Sequence, residues 1–202
     1  MFIPRILFGT SSKDKLREAI VGLAGTATLM GLDEFPTVPK PPEPGTTFAD
    51  NARSKALYYS LSLAKHLKPG TMVLAEDAGL EVFALGGFPG VNSSRIAPTD
   101  PERMAIVLTK LREAGCIDEE SRRARFVSAM TLVRGSEVLA EALGEVRGVI
   151  APRPSGNAGF GYDPIFYFPP YGCTFGECSL ERKAPVSHRA KALKLIAEYL
   201  AG

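Results

Sequence analysis

The order of strand-like and helix-like segments constrains the fold of this chain more than any other feature. Apolar strand patterns are predicted over residues 5–9, 27–32 and 71–76, and helical patterns over 13–23, 48–67 and 101–114. A hairpin follows, with strands over 126–133 and 138–149, and a last helix is predicted over 187–200. Alternating strands and helices give parallel pairs, whereas a hairpin gives an antiparallel pair. The order therefore predicts an α/β fold with a mixed sheet.

Composition and charge exclude several classes of protein. The 202 residues suit one domain, and Lys and Arg outnumber Asp and Glu only by 24 to 22, which argues against a DNA or RNA polymer as partner. No run is long and apolar enough to span a membrane, and the first residues lack a signal-peptide pattern. Cys116, Cys173 and Cys178 fit neither a disulfide framework nor a zinc site, so we expect reduced thiols in the cytoplasm.

The exit from the first strand, "LFGTSSKDK", presents small and hydroxyl residues before a helix. Backbone N–H groups and the helix dipole at such a place favour an anion, most often phosphate, and Lys13 and Lys15 add positive charge. The other interpretation is a plain helix N-cap beside surface lysines. On this stretch alone the N-cap is favoured, because the P-loop pattern with its Gly-Lys-Ser/Thr ending is absent.

Three polar residues share one flank of the long helix that follows the proline-rich segment "FPTVPKPPEPG". Thr47, Asn51 and Lys55 lie four residues apart, so they form one stripe beside the apolar stripe of the helix. This flank either lines a cleft or is simply solvated. Glu43 lies in the proline-rich segment, and prolines stiffen a loop in a way that suits holding one carboxylate in place.

Two adjacent carboxylates, Glu76 and Asp77, stand where the third strand is predicted to end. Ligands of α/β sheets bind beyond the carboxyl ends of strands. A divalent metal offsets the repulsion of close carboxylates, and all-oxygen ligands favour Mg²⁺ or Mn²⁺. Since neighbouring strand residues face opposite ways, Asp77 with Glu43 is an alternative pair to Asp77 with Glu76. The competing interpretation is that Asp77 caps the turn after the strand.

The segment "PSGNAGFGYDPIF" is a glycine-rich loop within residues 151–181, which are predicted mostly as loop and short strand. Its glycines allow the backbone to approach a ligand closely. The ring of Phe160 or Tyr162 between them suits stacking on a nucleobase. The alternative is a glycine-rich turn that carries core aromatic residues.

Three cationic or donor groups surround the start of the last predicted helix. Ser187 caps this helix, His188 and Arg189 are its first residues, and Lys183 lies just before them. Together these groups suit an anion or a nucleobase better than one His-Arg pair would.

These segments together resemble one family, the Ham1-like inosine triphosphate pyrophosphatases, nearly from end to end. The family's opening Thr-x-Asn-x-x-Lys corresponds to the stretch from Thr10 to Lys15. Its second motif is present as Glu43, Gly45, Thr47, Phe48, Asn51, Ala52, Lys55 and Ala56. Its Asp-Asp-Ser-Gly-Leu appears as Glu76-Asp77-Ala78-Gly79-Leu80. Its Gly-Phe-Gly-Tyr-Asp-Pro-x-Phe and Lys-x-x-x-Ser-His-Arg motifs are complete, from Gly159 to Phe166 and from Lys183 to Arg189.

Three positions depart from the family pattern. Ser12 stands where the family has Asn, so a shorter hydroxyl replaces an amide near the phosphates. Ala78 replaces Ser or Thr, which leaves only its backbone for binding, and Glu76 is longer than the usual Asp. These changes bear on affinity and metal geometry more than on the class of reaction.

The resemblance implies hydrolysis of the deaminated purine nucleoside triphosphates ITP, dITP and XTP to the monophosphate and pyrophosphate. It implies one domain over residues 1–202, with an elongated central mixed β-sheet flanked by helices, and two lobes with a nucleotide cleft between them. It also implies Mg²⁺, or Mn²⁺, as cofactor and a homodimer. Two other functions stay open on the sequence: a non-catalytic nucleotide-binding or regulatory module, and a pyrophosphohydrolase for other modified nucleotides.

The resemblance also implies the site residues. Asp77 matches the proton acceptor, Glu43 and Asp77 match the carboxylates at the metal, and Lys55 acts with Asp77 in catalysis. The implied substrate-binding residues are Thr10, Ser11, Ser12, Lys13, Asp14, Lys15, Asn51, Ala78, Phe160, Gly161, Tyr162, Asp163, Lys183, His188 and Arg189. In this hypothesis Asp77 deprotonates a water that attacks the α-phosphorus, while Lys15 and Lys55 take up charge of the leaving pyrophosphate.

Overall fold

The computed structural model describes residues 3–202. Its seven strands are β1 (Arg5–Phe8), β2 (Thr28–Met30), β3 (Met72–Val82), β4 (Arg123–Arg134), β5 (Glu137–Ile150), β6 (Phe166–Phe168) and β7 (Cys173–Thr174). Its α-helices are α1 (Lys13–Gly22), α2 (Phe48–Ser62), α3 (Asp100–Glu113), α4 (Leu180–Lys183) and α5 (His188–Ala201). None of the helices between residues 3 and 202 combines the length and the apolar character that crossing a bilayer requires.

The strands form one sheet in the order β2-β1-β3-β4-β5-β6-β7. Strand β1 pairs in parallel with β2 and β3, whereas β6 pairs antiparallel with β5 and β7. The predicted hairpin joins β4 to β5 through Gly135 and Ser136, and Gly135 adopts the positive φ of 59° that such a tight turn needs. The α/β fold with a mixed sheet, predicted from the order of segments, is therefore confirmed.

The chain divides into two compact units. Unit one consists of the described residues up to Asp77 together with Ser128–Gly144 and Arg189–Gly202. Unit two consists of Ala78–Val127 and Glu145–His188. That the whole chain acts as a single domain with two lobes stays a prediction.

Unit one packs helices on both faces of β1 and β3. Because alternate strand residues face opposite ways, Phe8 and Leu74 pack with α1 and α5, whereas Leu7 and Val73 pack with α2. All four side chains are fully buried, and each contributes about 1.5–3 kcal/mol relative to an exposed position. The same alternation decides which way the polar residues farther along β3 point.

Unit two has its own apolar core. Leu80 of β3, Val107 of α3, and Phe166 and Phe175 of the later loops and strands are fully buried within it. The ring centroids of Phe166 and Phe175 lie 5.2 Å apart, a distance at which aromatic pairs attract. This core supports the glycine-rich loop that the sequence marks as a candidate binding element.

Two helices begin at threonine capping residues. The Thr47 hydroxyl accepts a hydrogen bond from the backbone N–H of Asp50 at 3.1 Å, at the start of α2. Helix α3 begins with a complete capping box between Thr99 and Glu102. Each cap satisfies backbone donors that a helix start leaves without partners and contributes about 1 kcal/mol.

Strand β3 is longer than the sequence indicates. The apolar run predicts an end at Glu76 and a turn at Gly79, but the strand continues through both to Val82. The prediction that Glu76 and Asp77 stand at the end of a strand is therefore wrong, and so is the interpretation of Asp77 as a turn cap. A strand can carry buried carboxylates where distant segments supply cationic partners, and a local apolar pattern cannot show such partners.

Helix α2 is shorter than the predicted span of 48–67, because it ends at Ser62. A turn follows, in which the backbone N–H of His66 donates to the carbonyl of Leu63 at 2.8 Å. Leu63 and Leu67 still pack against the core of unit one. Apolar residues thus recur at helical spacing beyond the end of α2. For this reason the sequence pattern predicts a helix that is too long.

Candidate active site

Glu76 and Asp77 lie on opposite faces of β3. Glu76 shares the face of Leu74 and contacts residues of α1 and α5, whereas Asp77 shares the face of Val73 and contacts residues of α2. The two adjacent acids therefore have separate side-chain partners, as strand alternation predicts.

Asp77 and Glu43 converge on one ammonium group. The Nζ atom of Lys55 lies 2.7 Å from Oδ1 of Asp77 and 2.5 Å from Oε1 of Glu43, and it donates to the backbone carbonyl of Glu76 at 3.3 Å. Asp77 and Lys55 are buried, and Glu43 is half-buried. A point within reach of both carboxylates suits a cation. The arrangement therefore favours Asp77 and Glu43, rather than Asp77 and Glu76, as the pair of carboxylates that share one cation.

Asn51 ties the loop of Glu43 to Asp77. It is fully buried, its Nδ2 donates to Oδ2 of Asp77 at 3.1 Å, and its Oδ1 accepts from the backbone N–H of Gly45 at 2.8 Å. A Cβ on Gly45 would lie 2.6 Å from that oxygen, so the close approach depends on glycine. Asn51 thus holds the carboxylate in place, and its own contact with substrate stays a prediction.

Glu76 organises a buried group of opposite charges. Its carboxylate accepts from the Ser128 hydroxyl at 2.6 Å and from Nε of Arg189 at 2.9 Å, and Nζ of Lys15 lies 3.2 Å from it. Arg189 also pairs with Glu18 of α1. Glu76 and Arg189 are 3% and 1% exposed, so each charge depends on these partners rather than on water.

Burial and the neighbouring carboxylates shift the pKa values of Lys15 and Arg189 from their ordinary values. Burial lowers the pKa of Lys15, and the Glu76 carboxylate offsets only part of this effect. Burial also acts to lower the pKa of Arg189, but the carboxylates of Glu76 and Glu18 outweigh it and the pKa lies above its ordinary value. A phosphate group placed beside Lys15 would favour the charged form and raise its pKa again.

The loop between β1 and α1 borders a cavity of about 430 Å³ in unit one. The cavity is lined by Thr10, Ser11, Ser12, Lys13, Leu16, Leu32, Asp33, Phe35, Pro36, Val38, Lys40 and Tyr59. Ser12 caps α1, because its Oγ accepts from the backbone N–H of Lys15 at 3.3 Å. Asp14 pairs with Arg17 at 3.3 Å on the helix surface. The capping interpretation of Ser12 is confirmed, and phosphate binding by this loop stays a prediction.

In unit two, Asp163 organises the glycine-rich loop. Its Oδ2 accepts from the backbone N–H of Phe160 at 2.9 Å and from Nζ of Lys183 at 2.7 Å, and both charged residues are almost fully buried. Gly159 has φ of 72°, and a Cβ there would lie 2.1 Å from the same oxygen, so this position requires glycine. Nζ of Lys183 also lies 5.1 Å from the ring centroid of Phe160. The half-buried ring of Phe160 on this loop thus lies beside the ammonium group of Lys183.

The other aromatic ring of this loop belongs to the core. Tyr162 is 4% exposed, its hydroxyl donates to the carbonyl of Ser93 at 2.7 Å, and burial raises its pKa. The backbone N–H of Gly161 donates to the carboxylate of Asp100 at 2.8 Å, which anchors the loop to α3. Phe160 is therefore the more exposed ring and the better candidate for stacking on a base.

The remaining candidates of unit two also have defined places. His188 is buried and stacks on Phe126, with ring centroids 4.8 Å apart. Ala78 is half-buried within β3. The contacts of both residues with a substrate stay predictions.

Sequence reasoning does not identify Glu18 or Ser128, and it leaves the role of Glu76 open. Two signals could have found this group. Lys15 and Glu18 lie three residues apart on α1 and so share a face. Ser128 is a fully buried polar residue between the apolar pairs Phe126-Val127 and Ala129-Met130 of β4, where a hydroxyl needs a partner.

Comparisons of the sequence point to one family. The model of the Ham1 family matches residues 6–199. A dITP/XTP pyrophosphatase of Thermus thermophilus is 42% identical over 197 residues, which cover 96% of this chain and 90% of the relative. One of Acidobacterium capsulatum is 38% identical over 205 residues, which cover 96% of each chain.

Solved structures give the same result. The HAM1 protein from Coxiella burnetii superimposes with a TM-score of 0.85 at 33% identity, over 98% of this chain and 99% of that one. The Ham1 protein of Staphylococcus aureus superimposes with a TM-score of 0.80 at 34% identity, over 98% of each chain. Likeness in sequence and in fold thus extends over nearly the whole chain.

Proposed function

The chain belongs to the Ham1 family, and we propose that it hydrolyses the deaminated purine nucleoside triphosphates dITP, ITP and XTP to the monophosphate and pyrophosphate. The curated relatives that carry the name dITP/XTP pyrophosphatase support this substrate class. The observation that carries the proposal is the convergence of Asp77 and Glu43 on the Nζ atom of Lys55. Two acids and one base at one point supply the charges that phosphoryl chemistry requires.

The same two carboxylates fit a magnesium ion. Each carboxylate places one oxygen beside the ammonium group of Lys55, which is itself a cation. Carboxylate oxygens are hard ligands, and such ligands suit Mg²⁺ or Mn²⁺. Among residues 3–202 no cluster of three or more His, Cys, Asp or Glu residues forms a metal site. Mg²⁺ commonly takes one or two protein carboxylates and completes its shell with water and phosphate oxygens. When bound, the ion neutralises phosphate charge and lowers the pKa of a coordinated water.

The residues of unit one then divide the chemistry between them. Asp77 orients the attacking water and accepts its proton, and Asn51 fixes the carboxylate through its second oxygen. Lys55 and Lys15 place positive charge near the phosphates, which stabilises the pyrophosphate as it leaves. Such catalysis rests on positioning and electrostatic stabilisation, with little covalent chemistry by the protein.

Base selection rests on the glycine-rich loop and on the residues around the start of α5 in this proposal. Hypoxanthine and xanthine carry an oxygen at ring position six, where adenine carries an amino group. Lys183, His188 or Arg189 would donate to that oxygen, and the ring of Phe160 would stack on the base. A donor left facing an amino group costs about 1–3 kcal/mol, so about tenfold to a hundredfold discrimination against adenine follows.

We further propose a homodimer in the cytoplasm. The homodimer rests on the family resemblance. The cytoplasmic location is supported by Cys116, Cys173 and Cys178, which are all free thiols as a reducing compartment would keep them.

A substrate panel tests the proposed reaction. With Mg²⁺, the protein should release pyrophosphate from dITP and XTP at least about tenfold faster than from dATP, for the reason just given. Pyrophosphate and orthophosphate are measured separately, and the same panel without added metal serves as control. Release of orthophosphate would contradict the bond assignment, and nucleotide binding without turnover would favour a regulatory module instead.

A further inference from the structure

Cys173 and Cys178 form a close pair of thiols in unit two. Their Sγ atoms lie 3.5 Å apart, with Cys173 in β7 and Cys178 directly after the short turn Phe175–Glu177. The separation of five positions along the chain carries no recognisable disulfide signal. We propose that this pair is an oxidisable dithiol, which a small-molecule disulfide such as oxidised glutathione converts to an intramolecular disulfide.

The geometry requires only a small movement. A disulfide bond is about 2.05 Å long, so the two sulfurs must approach by roughly 1.5 Å, which is within reach of side-chain rotation and a slight shift of the turn. The Cys178 thiol contacts the carbonyl of Thr174 at 3.4 Å, which keeps its sulfur on the side of β7. Both sulfurs are therefore already placed for bond formation within one tight turn.

The two cysteines differ in access, and this difference sets the order of events. Cys173 is half-buried, whereas Cys178 is 2% exposed. Burial, together with the neighbouring Cys173, raises the pKa of Cys178 to about 11. Cys173 is thus the thiol that an external disulfide reaches, and Cys178 acts second.

The reaction balances with one external disulfide. The thiolate of Cys173 attacks one sulfur of that disulfide, forms a mixed disulfide and releases one small thiolate. Cys178 then gives its proton to solvent, and its sulfur attacks the sulfur of Cys173 and expels the second small thiolate. The two protein thiols lose two electrons, and the external disulfide is reduced to two thiols.

The turn between the two cysteines supports the loop assigned to base recognition. Phe175 is fully buried, and its ring lies 5.7 Å from Nζ of Lys183. The carbonyl of Gly176 accepts from the backbone N–H of Ala158, within the glycine-rich loop, at 2.8 Å. Disulfide formation would draw Cys178 towards β7, shift the turn Phe175–Glu177 and so displace the Phe175 ring that packs beside Lys183. This consequence rests on the proposed function: oxidation should raise KM for dITP and leave kcat nearly unchanged.

The disulfide is tested by mass spectrometry on the full-length native protein. The reduced protein is treated with oxidised glutathione, its remaining thiols are alkylated, and it is cleaved after glutamate. Cleavage after Glu177 separates the two cysteines, so a joined peptide pair reports the disulfide directly. We expect the joined pair and Cys116 unoxidised, and before alkylation an intact mass lower by about two units than that of the reduced chain.

Single substitutions distinguish the two cysteines. Cys178→Ser should stop at a glutathione adduct on Cys173, Cys173→Ser should show no reaction at Cys178, and Cys116→Ser should behave like the parent. A glutathione adduct on native Cys173 without a joined pair, or a joined pair only in urea, would overturn the proposal.

Kinetics with dITP separate this inference from the proposed function. A rise in KM by about threefold or more, reversed by dithiothreitol and absent from Cys178→Ser, would support the link to base recognition, since small displacements of positioning groups weaken binding. An unchanged KM in a fully oxidised protein would refute that link. Inactivity of the reduced protein would refute the proposed function, while the peptide measurement still decides the disulfide.

Discussion

The Asp77→Asn variant should lose about 10²- to 10⁴-fold in kcat for dITP, the range that a positioned general base contributes. Asparagine keeps the size of the side chain and can still accept the hydrogen bond from Asn51, but it cannot take a proton and has no charge for Lys55 or a metal ion. The measurement is steady-state release of pyrophosphate at saturating Mg²⁺. Circular dichroism and the urea midpoint establish that the variant is folded.

Asp118→Asn is the matched control for this variant. Asp118 is an exposed aspartate in the turn before β4, where it accepts from the backbone N–H of Ser121. The same chemical change there should leave kcat within about twofold, because surface changes away from special features have small effects. Turnover by Asp77→Asn within about tenfold of the parent would remove Asp77 from the role of base.

The Glu76→Gln variant should lose about 3–5 kcal/mol of the free energy of unfolding, the usual effect of removing one partner of a buried ion pair. The loss of this carboxylate leaves Arg189 paired with Glu18 and takes away the carboxylate that contributes most to the charged form of Lys15. The Glu76 carboxylate also raises the pKa of Lys15, so this pKa should fall further in the variant. The deficit should shrink as pH rises toward the ordinary lysine value of 10.5, because a neutral Lys15 needs no counter-charge.

Urea denaturation of Glu76→Gln beside Glu141→Gln gives the comparison. Glu141 pairs with Arg53 at 2.7 Å on the surface, where both side chains are largely exposed to water. That pair should contribute less than about 1 kcal/mol. If the two variants lose equal stability, the charge group around Glu76 does not hold unit one together.

Local patterns predict much of this fold, because much of it is decided locally. The capping residues Thr47 and Thr99 stand at the starts of α2 and α3, and the Gly135-Ser136 turn gives the hairpin. Strand alternation offers Glu43 as an alternative to Glu76 for the partner of Asp77, and the family resemblance implies Glu43 and Asp77 at the metal. In the structure both carboxylates reach the ammonium of Lys55.

The role of Glu76 could not be predicted in the same way. Its main partner, Arg189, lies 113 residues away along the chain, and nothing near either residue marks the pair. The same distant partner lets β3 carry a carboxylate past the point where its apolar run ends. Arg189 is predicted to bind substrate, but its guanidinium contacts carboxylates within unit one. Interactions of high sequence separation, rather than local propensity, account for what the sequence missed.

Hydrolysis of dITP in water enriched in ¹⁸O tests the proposed chemistry most directly. If a water oriented by Asp77 attacks the α-phosphorus, mass spectrometry will find the heavy oxygen in dIMP and none in pyrophosphate. Heavy oxygen in pyrophosphate, or the appearance of labelled orthophosphate, would place the attack at another phosphorus and would contradict the assignment of Asp77, Glu43 and Lys55 to this reaction.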